Sequence, residues 1–258
     1  MAFAKWGRGP KKILLIPGGP GNEIPAGFGL KMMLRPFRPL LDGGYTLWMV
    51  TRQRNMPQGH TIEDMARDYS RLIEVEFDGT VDIVLGTSYG GLIAQYLAAN
   101  HPDCFRHVVI AGAACCVSDA GKDIDYGFAE KMNQGQETEA GTIMVTGLLP
   151  KLRFRWLARS LGFFAGRIGS GTHEDFRSDV LIEADAEVAF DSRELLPTIT
   201  APVLLIAGDR DVYFPGSLLE ETARLIPDCT LKIYERRGHV GAMSDKRLPK
   251  DVFDCVGR

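Results

Sequence analysis

The chain has 258 residues, 45% apolar and 24% charged, with a formal net charge of −3. That length suits one large domain, or one domain carrying an insertion, with ample material for a core. A slightly acidic balance offers nucleic acid no footing, and the longest apolar run, 108–117, is far short of a membrane span, so no stable membrane insertion is expected.

Along the chain, short β-rich runs alternate with helical patterns. KILLI (12–16) is the first strand signal, and it ends in Pro17-Gly18-Gly19-Pro20-Gly21, a loop that neither a helix nor a strand interior tolerates. YTLWMV (45–50) is the second strand. A helix is expected over 61–77, opening at Thr61 with Asp64 three residues on, a capping-box variant. VDIVLG (81–86) leads into a helix over 89–99 that His101-Pro102 stops. HVVIAG (107–112) is the fourth strand. Beyond the inserted stretch described below come PVLLIAG (202–208), a helix over 217–226 with Ser217 and Glu220 in the capping-box relation, TLKIY (230–234) and a helix over 249–256. Several strands are almost continuously apolar, as strands buried on both faces are. The alternation predicts an α/β fold with a mostly parallel central sheet of six to seven strands flanked by helices.

About ninety residues separate the strand ending near Gly112 from the one starting at Pro202, too many for a loop. Their pattern is helical, over 123–133, 139–149, 151–165 and 175–190. Residues 118–198 therefore read as an inserted helical cap, on a core formed by 1–117 and 199–258. KLRFRWLARSLGFF is basic and aromatic, whereas EDFRSDVLIEADAEVAFD is acidic. Two amphipathic lid helices with solvated charged faces are expected; a lid that senses a membrane or an acyl chain is the sharper reading. Phe154, Trp156, Phe163 and Phe164 are candidates to line a substrate pocket with Met243, although aromatic residues at helical spacing also suit a core.

The chemistry-bearing pattern is Gly86-Thr87-Ser88-Tyr89-Gly90, set between a buried strand and a helix. In that context G-x-S-x-G marks a sharp turn that exposes a nucleophilic serine at the sheet's C-terminal edge, and a Cβ on Gly86 or Gly90 would clash with neighbouring backbone. A serine hydroxyl needs a base. Of the histidines, His60, His101, His107 and His173 flank elements or lie in the cap. His239 sits in ERRGHVGAM after the last strand, at the same sheet edge as Ser88. The imidazole needs an orienting carboxylate, and Asp209 and Asp211 both follow the preceding strand at that edge, with Asp119 a further candidate.

The Ser…Asp…His order, the elbow and the strand pattern resemble the α/β-hydrolase fold enzymes over roughly 10–256. That resemblance implies Asp211, the fourth residue of Gly208-Asp209-Arg210-Asp211, as the acid. It aligns Pro17-Gly18-Gly19-Pro20-Gly21 with the family's His-Gly-x-Pro-Gly loop, which implies that the N–H groups of Gly19 and Tyr89 form an oxyanion hole. Proline replaces the usual histidine at Pro17, so any brace for the loop must be steric or come from elsewhere. TRQRNMPQGHTIEDMARD matches a mainly structural segment of the family, with Thr51 and Gln53 in place of its Asp and Gly. The family's two leading antiparallel strands have little room before Ile13, so that edge is expected to be trimmed or missing. The function implied is hydrolysis of a carboxylic ester, lactone or thioester through an acyl-enzyme. Alternatives on the same triad are a proline iminopeptidase-like amidase, with Glu183, Asp185 and Glu187 of the cap holding an amine, and a carbon–carbon bond hydrolase of diketones. A ligand receptor of the same fold is the non-enzymatic reading, and an intact triad argues against it. No cofactor and no metal are implied. The partner expected is a small-molecule substrate, for a monomer or homodimer. The five cysteines are odd in number and form no C-x-x-C pair, so they read as buried thiols in the cytoplasm.

Overall fold

The computed structural model describes residues 1–24, 27–149, 152 and 154–256. The apolar runs form a seven-stranded sheet of β1 (Phe3–Trp6), β2 (Lys11–Ile16), β3 (Tyr45–Val50), β4 (Val81–Thr87), β5 (Phe105–Ala111), β6 (Val203–Gly208) and β7 (Cys229–Tyr234), in the order β1-β3-β2-β4-β5-β6-β7. All neighbours run parallel except β1, which pairs antiparallel with β3. The leading edge, expected to be trimmed or missing, carries one antiparallel strand among the described residues.

The register decides where the site falls. Ile16 lies beside Gly86, and Gly86 beside Ile110, so β2, β4 and β5 end level with one another. The loops that follow these strands therefore open side by side.

Helices cover both faces: α1 (Gly27–Leu34), α2 (Arg38–Asp42), α3 (Ile62–Glu76), α4 (Tyr89–Asn100), then α5 (Asp119–Asn133), α6 (Glu137–Leu148), α7 (Arg155–Gly169) and α8 (Phe176–Val188) between β5 and β6, and finally α9 (Gly216–Leu225), α10 (His239–Met243) and α11 (Leu248–Val256). Tyr69 and Ile73 of α3, Leu92 and Leu97 of α4, and Leu219 of α9 pack on one face of the sheet. Leu40 of α2 and Leu248 and Val252 of α11 pack on the other. The inserted helices share a smaller core of Phe128, Met132, Ala140, Phe176 and Val180.

Thr61 and Asp64 form the reciprocal capping box at the start of α3. Ser217 does not cap α9: Pro215 occupies the N-cap position and makes no side-chain bond, which places Ser217 inside the helix. Lys151 and Arg153, part of the helix expected over 151–165, lie outside the described residues. The helix itself runs four residues further, to Gly169. Among the described residues no helix is long and apolar enough to cross a membrane.

Candidate active site

Ser88 joins β4 to α4 with φ 51° and ψ −122°, a backbone conformation that costs a non-glycine residue strain and turns its side chain out of the sheet. The flanking glycines allow it. A Cβ on Gly86 would lie 2.3 Å from the Gly90 carbonyl oxygen, and one on Gly90 would lie 2.1 Å from that of Ile16. The turn is held from below by the Ser88 N–H, which donates to the Ala111 carbonyl at 2.8 Å.

Ser88 Oγ lies 2.8 Å from His239 Nε2, and His239 Nδ1 lies 2.8 Å from Asp211 Oδ2. A carboxylate only accepts, so Nδ1 carries the ring proton and Nε2 is left to accept from the serine hydroxyl. The Asp211 side chain is completely buried. Its other oxygen accepts the backbone N–H groups of Tyr213 and Phe214 at 2.9 and 3.2 Å, which fixes the carboxylate behind the ring. Tyr213 stacks on the imidazole with ring centroids 4.7 Å apart. Asp209 and Asp119 are exposed and take no part. Asp209 accepts the Arg237 N–H at 3.1 Å and so ties the loop after β7; Asp119 is in the first turn of α5. The other histidines are engaged elsewhere or distant, His60 with Asp68 at 2.9 Å and His173 with Asn22 at 2.7 Å.

The loop Pro17–Gly21 lies against this relay. A Cβ on Gly18 would come within 2.6 Å of the Ser88 Cβ, so the close approach requires glycine. Gly18 N–H donates to Thr87 Oγ1 at 3.0 Å. Gly19 follows at φ 75° and lines the cavity over Ser88. Tyr89 opens α4, and its N–H is one of the amides that a helix start leaves without an internal partner.

The brace that Pro17 does not supply is Arg52, just past β3. Its fully buried guanidinium donates to the carbonyls of Pro17 (2.7 Å), Gly19 (2.9 Å) and Gly21. It also pairs with Glu183 of α8 at 2.8 Å, and Glu183 in turn accepts the Gly21 N–H. That adjacent carboxylate holds the Arg52 pKa above its ordinary value, against burial. The guanidinium packs 5.0 Å from the Tyr89 ring centroid, and the Tyr89 hydroxyl donates to the Glu183 carbonyl at 2.9 Å. One arginine thus ties the glycine loop, the elbow helix and the insertion together. The sequence signals for it are a basic residue two positions past a buried strand and its place in the segment that matches the family's structural motif.

A cavity of about 480 Å³ opens at Ser88 and His239. Its walls are largely apolar: Leu15 and Phe37 from the core, Met144 and Leu148 from α6, and Val240 and Met243 from α10. Of the residues the sequence reading offers for a substrate pocket, Met243 lines this cavity. Phe154, Trp156, Phe163 and Phe164 do not line it, and they are 63%, 69%, 44% and 62% exposed. The small residues of α7 take its inward face, so its aromatic residues point out.

None of the three cap carboxylates expected to hold an amine lines the cavity over Ser88. Glu183 is committed to Arg52 and Gly21, Asp185 is exposed, and Glu187 is buried. Burial and the neighbouring Asp125 carboxylate push the Glu187 pKa well up, so Glu187 keeps its proton and donates it to Asp125. Asp125 is the carboxylate that does reach the cavity wall, and it accepts the Tyr213 hydroxyl at 2.8 Å. Among the described residues no group of three or more His, Cys, Asp or Glu side chains is placed to hold a metal ion.

A serine, an imidazole and a buried carboxylate in line, at the mouth of an apolar cavity beside free helix-start amides, form an arrangement suited to nucleophilic acyl transfer. Comparison with known proteins points the same way. A pimeloyl-[acyl-carrier protein] methyl ester esterase of Neisseria meningitidis serogroup A is 30% identical over 177 residues, which are 67% of this chain and 55% of that protein. The chain thus spans little more than half the length of that relative. An enol-lactonase from Burkholderia xenovorans LB400 superposes with a TM-score of 0.74 at 19% identity, over 100% of this chain and 96% of the other. A thermophilic esterase from Thermogutta terrifontis gives 0.71 at 20% identity, over 98% and 91%. At that identity the two structures speak for the fold. The sequence model of the alpha/beta hydrolase family matches residues 13–250, nearly the whole chain, and the protein belongs to that family.

Proposed function

We propose that the protein is a serine hydrolase of carboxylic esters, lactones and thioesters among them, acting through an acyl-enzyme on a small molecule held in the apolar cavity. The observation that carries this reading is the relay from Ser88 through His239 to Asp211, with both contacts at 2.8 Å, at the cavity mouth.

His239 Nε2 takes the proton of Ser88 Oγ as the oxygen attacks the substrate carbonyl carbon. The tetrahedral oxyanion is held by the N–H groups of Gly19 and Tyr89, the carbonyls of the Gly19 loop being fixed from behind by Arg52. His239 then protonates the leaving oxygen or sulfur, and the C–O or C–S bond breaks. Water activated by the same imidazole hydrolyses the acyl-serine. Asp211 orients the ring and stabilises its charge while it is an imidazolium. The largely apolar lining suits an acyl chain better than a peptide.

Ser88→Ala is expected to lower kcat for p-nitrophenyl butyrate by at least about 10,000-fold, with the circular dichroism spectrum and Tm unchanged. Asp211→Asn should cost about 10,000-fold, and Asp209→Asn should stay close to the parent. Full activity of Ser88→Ala would refute the assignment.

A further inference from the structure

The aromatic, basic stretch that the cavity leaves unused has a role of its own. Among the described residues, seven of the fourteen large apolar side chains left exposed lie within 149–168. On α7 they form a broad exposed face: Phe163 follows Trp156 by seven residues, two helical turns, and Ile168 follows Phe164 by four, and Trp156, Phe164 and Ile168 are 69%, 62% and 82% exposed. Arg155, Arg159 and Arg167 flank them, Arg159 72% exposed while also reaching Glu139 of α6 at 3.5 Å, and α7 itself contains no acidic residue although the chain as a whole is acidic.

That face does not meet water through an accidental rotation of the helix. The opposite face of α7 is Ala158, Gly162 and Gly166, packed backbone to backbone on α6. A Cβ on Gly141 of α6 would lie 2.1 Å from the Gly162 carbonyl oxygen, and one on Gly166 would lie 1.9 Å from that of Glu137. Turning α7 inward to bury its aromatics would lose that contact and drive large side chains into a seam that admits only glycine.

We propose that this face is a peripheral docking surface for an anionic lipid bilayer. Exposed Trp and Phe with arginines at their margin are what an interfacial helix presents to the headgroup boundary, apolar rings entering and guanidinium groups meeting phosphate. The dimensions favour a bilayer over a protein. A 15-residue helix is about 22 Å long and about 10 Å wide. One such face falls well short of the roughly 800 Å² that each partner of a stable protein complex buries, whereas side-chain insertion into a lipid surface needs no more. A second copy docked about a two-fold axis would set the same arginines against each other. The surface also lies next to the cavity: α6 packs against α7 on one side and gives Met144 and Leu148 to the cavity wall on the other. A membrane-dissolved ester would then be delivered one helix layer from Ser88. The docking itself does not depend on the reaction assigned to the site.

The test is co-sedimentation of the whole protein with vesicles of phosphatidylcholine alone and of equal parts phosphatidylcholine and phosphatidylglycerol. Binding is expected only to the anionic vesicles and should fall steeply between 0.05 and 0.5 M salt, concentrations taken to span strong and weak screening, from about 14 Å to about 4 Å of Debye length. Arg159→Gln and Arg167→Gln should each weaken it about fivefold, and Phe164→Ser with Ile168→Ser by at least about tenfold. Vesicles should shift the tryptophan emission to the blue, and Trp156→Phe should remove that shift. Hydrolysis of a water-soluble ester by each variant reports that it is folded. Equal binding to both vesicle types, no binding at all, binding indifferent to these substitutions, or self-association that Phe164→Ser abolishes would each overturn the proposal.

Discussion

Helices α7 and α8 belong to the same insertion and invert what their side chains lead one to expect. The acidic helix is buried and the aromatic one is exposed. On α8, Asp179, Glu183 and Glu187 are 0%, 1% and 3% exposed. Each has a reason to be there. Asp179 accepts from Asn22 Nδ2 and from the backbone N–H groups of Asn55 and Met56. Glu183 neutralises Arg52, and Glu187 holds a proton against Asp125. On α7 the residues with inward positions are Ala158, Gly162 and Gly166, and close backbone packing there leaves the rings outside. A charge tolerates burial when partners are waiting for it, and a ring stays in water when the near side of its helix is too tight for it.

The sharpest way to break this contrast is to remove a partner on α8. Glu183→Ala leaves Arg52 charged and buried without its carboxylate and releases the Gly21 N–H. The expected cost is about 3–5 kcal/mol of stability, a fall in Tm on the order of 10 °C, read by calorimetry. Because Arg52 also holds the Gly19 carbonyl, kcat for ester hydrolysis should fall in the fraction that remains folded. A loss no greater than that of an exposed carboxylate, such as Asp185→Ala, would mean that α8 is not joined to the loop as described.

Asp179→Ala is the next step down. It takes the acceptor from one Asn22 Nδ2 hydrogen, the other still donating to the Gln53 carbonyl, and from two backbone amides, at about 1–3 kcal/mol for buried donors left without an acceptor. Chemical denaturation should show this as a lower midpoint at an unchanged slope.

How far these features were legible in the sequence follows from how local their causes are. The elbow at Ser88 is set by glycines two residues either side, so its signature lies within five positions. The sheet follows from apolar runs of strand length, and His239 from its place after the last strand. The acid is harder: Asp209 and Asp211 are two residues apart, and only the loop's folding aims one at the Tyr213 and Phe214 amides and the other at Arg237. Arg52 was out of reach, because its partners lie 35 residues away at Pro17 and 131 away at Glu183. The orientation of α7 was missed for a related reason. An amphipathic pattern specifies two faces but not the neighbour that claims one of them, and here the claimant is a glycine seam on α6.

Glu187 gives the contrast a pH dependence. Its pKa is raised in the folded protein by burial and by Asp125, so the folded state holds a proton that the unfolded chain releases near the ordinary glutamate value of about 4.3. The stability this contributes is complete below that value and is lost as pH rises toward the raised one, with a slope of at most about 1.4 kcal/mol per pH unit. Glu187→Gln keeps a donor to Asp125 and cannot titrate. Its urea midpoint should therefore gain on the parent as pH rises above about 5. Parallel curves would place the proton elsewhere.

The smallest effect is expected on α7 and is the most diagnostic for that reason. Phe164→Ser and Ile168→Ser remove large side chains from positions 62% and 82% exposed. Each should change stability by no more than about 0.5 kcal/mol, as surface substitutions do, against roughly 3–5 kcal/mol for truncating a phenylalanine in a core. Turnover of a soluble ester should be unchanged, since neither residue reaches the cavity. A core-sized loss would mean that something covers this face in solution. If it vanished on dilution, the cover would be a second copy of the chain. If it did not, α7 would turn its rings inward, and the glycine seam between α6 and α7 would have to be open.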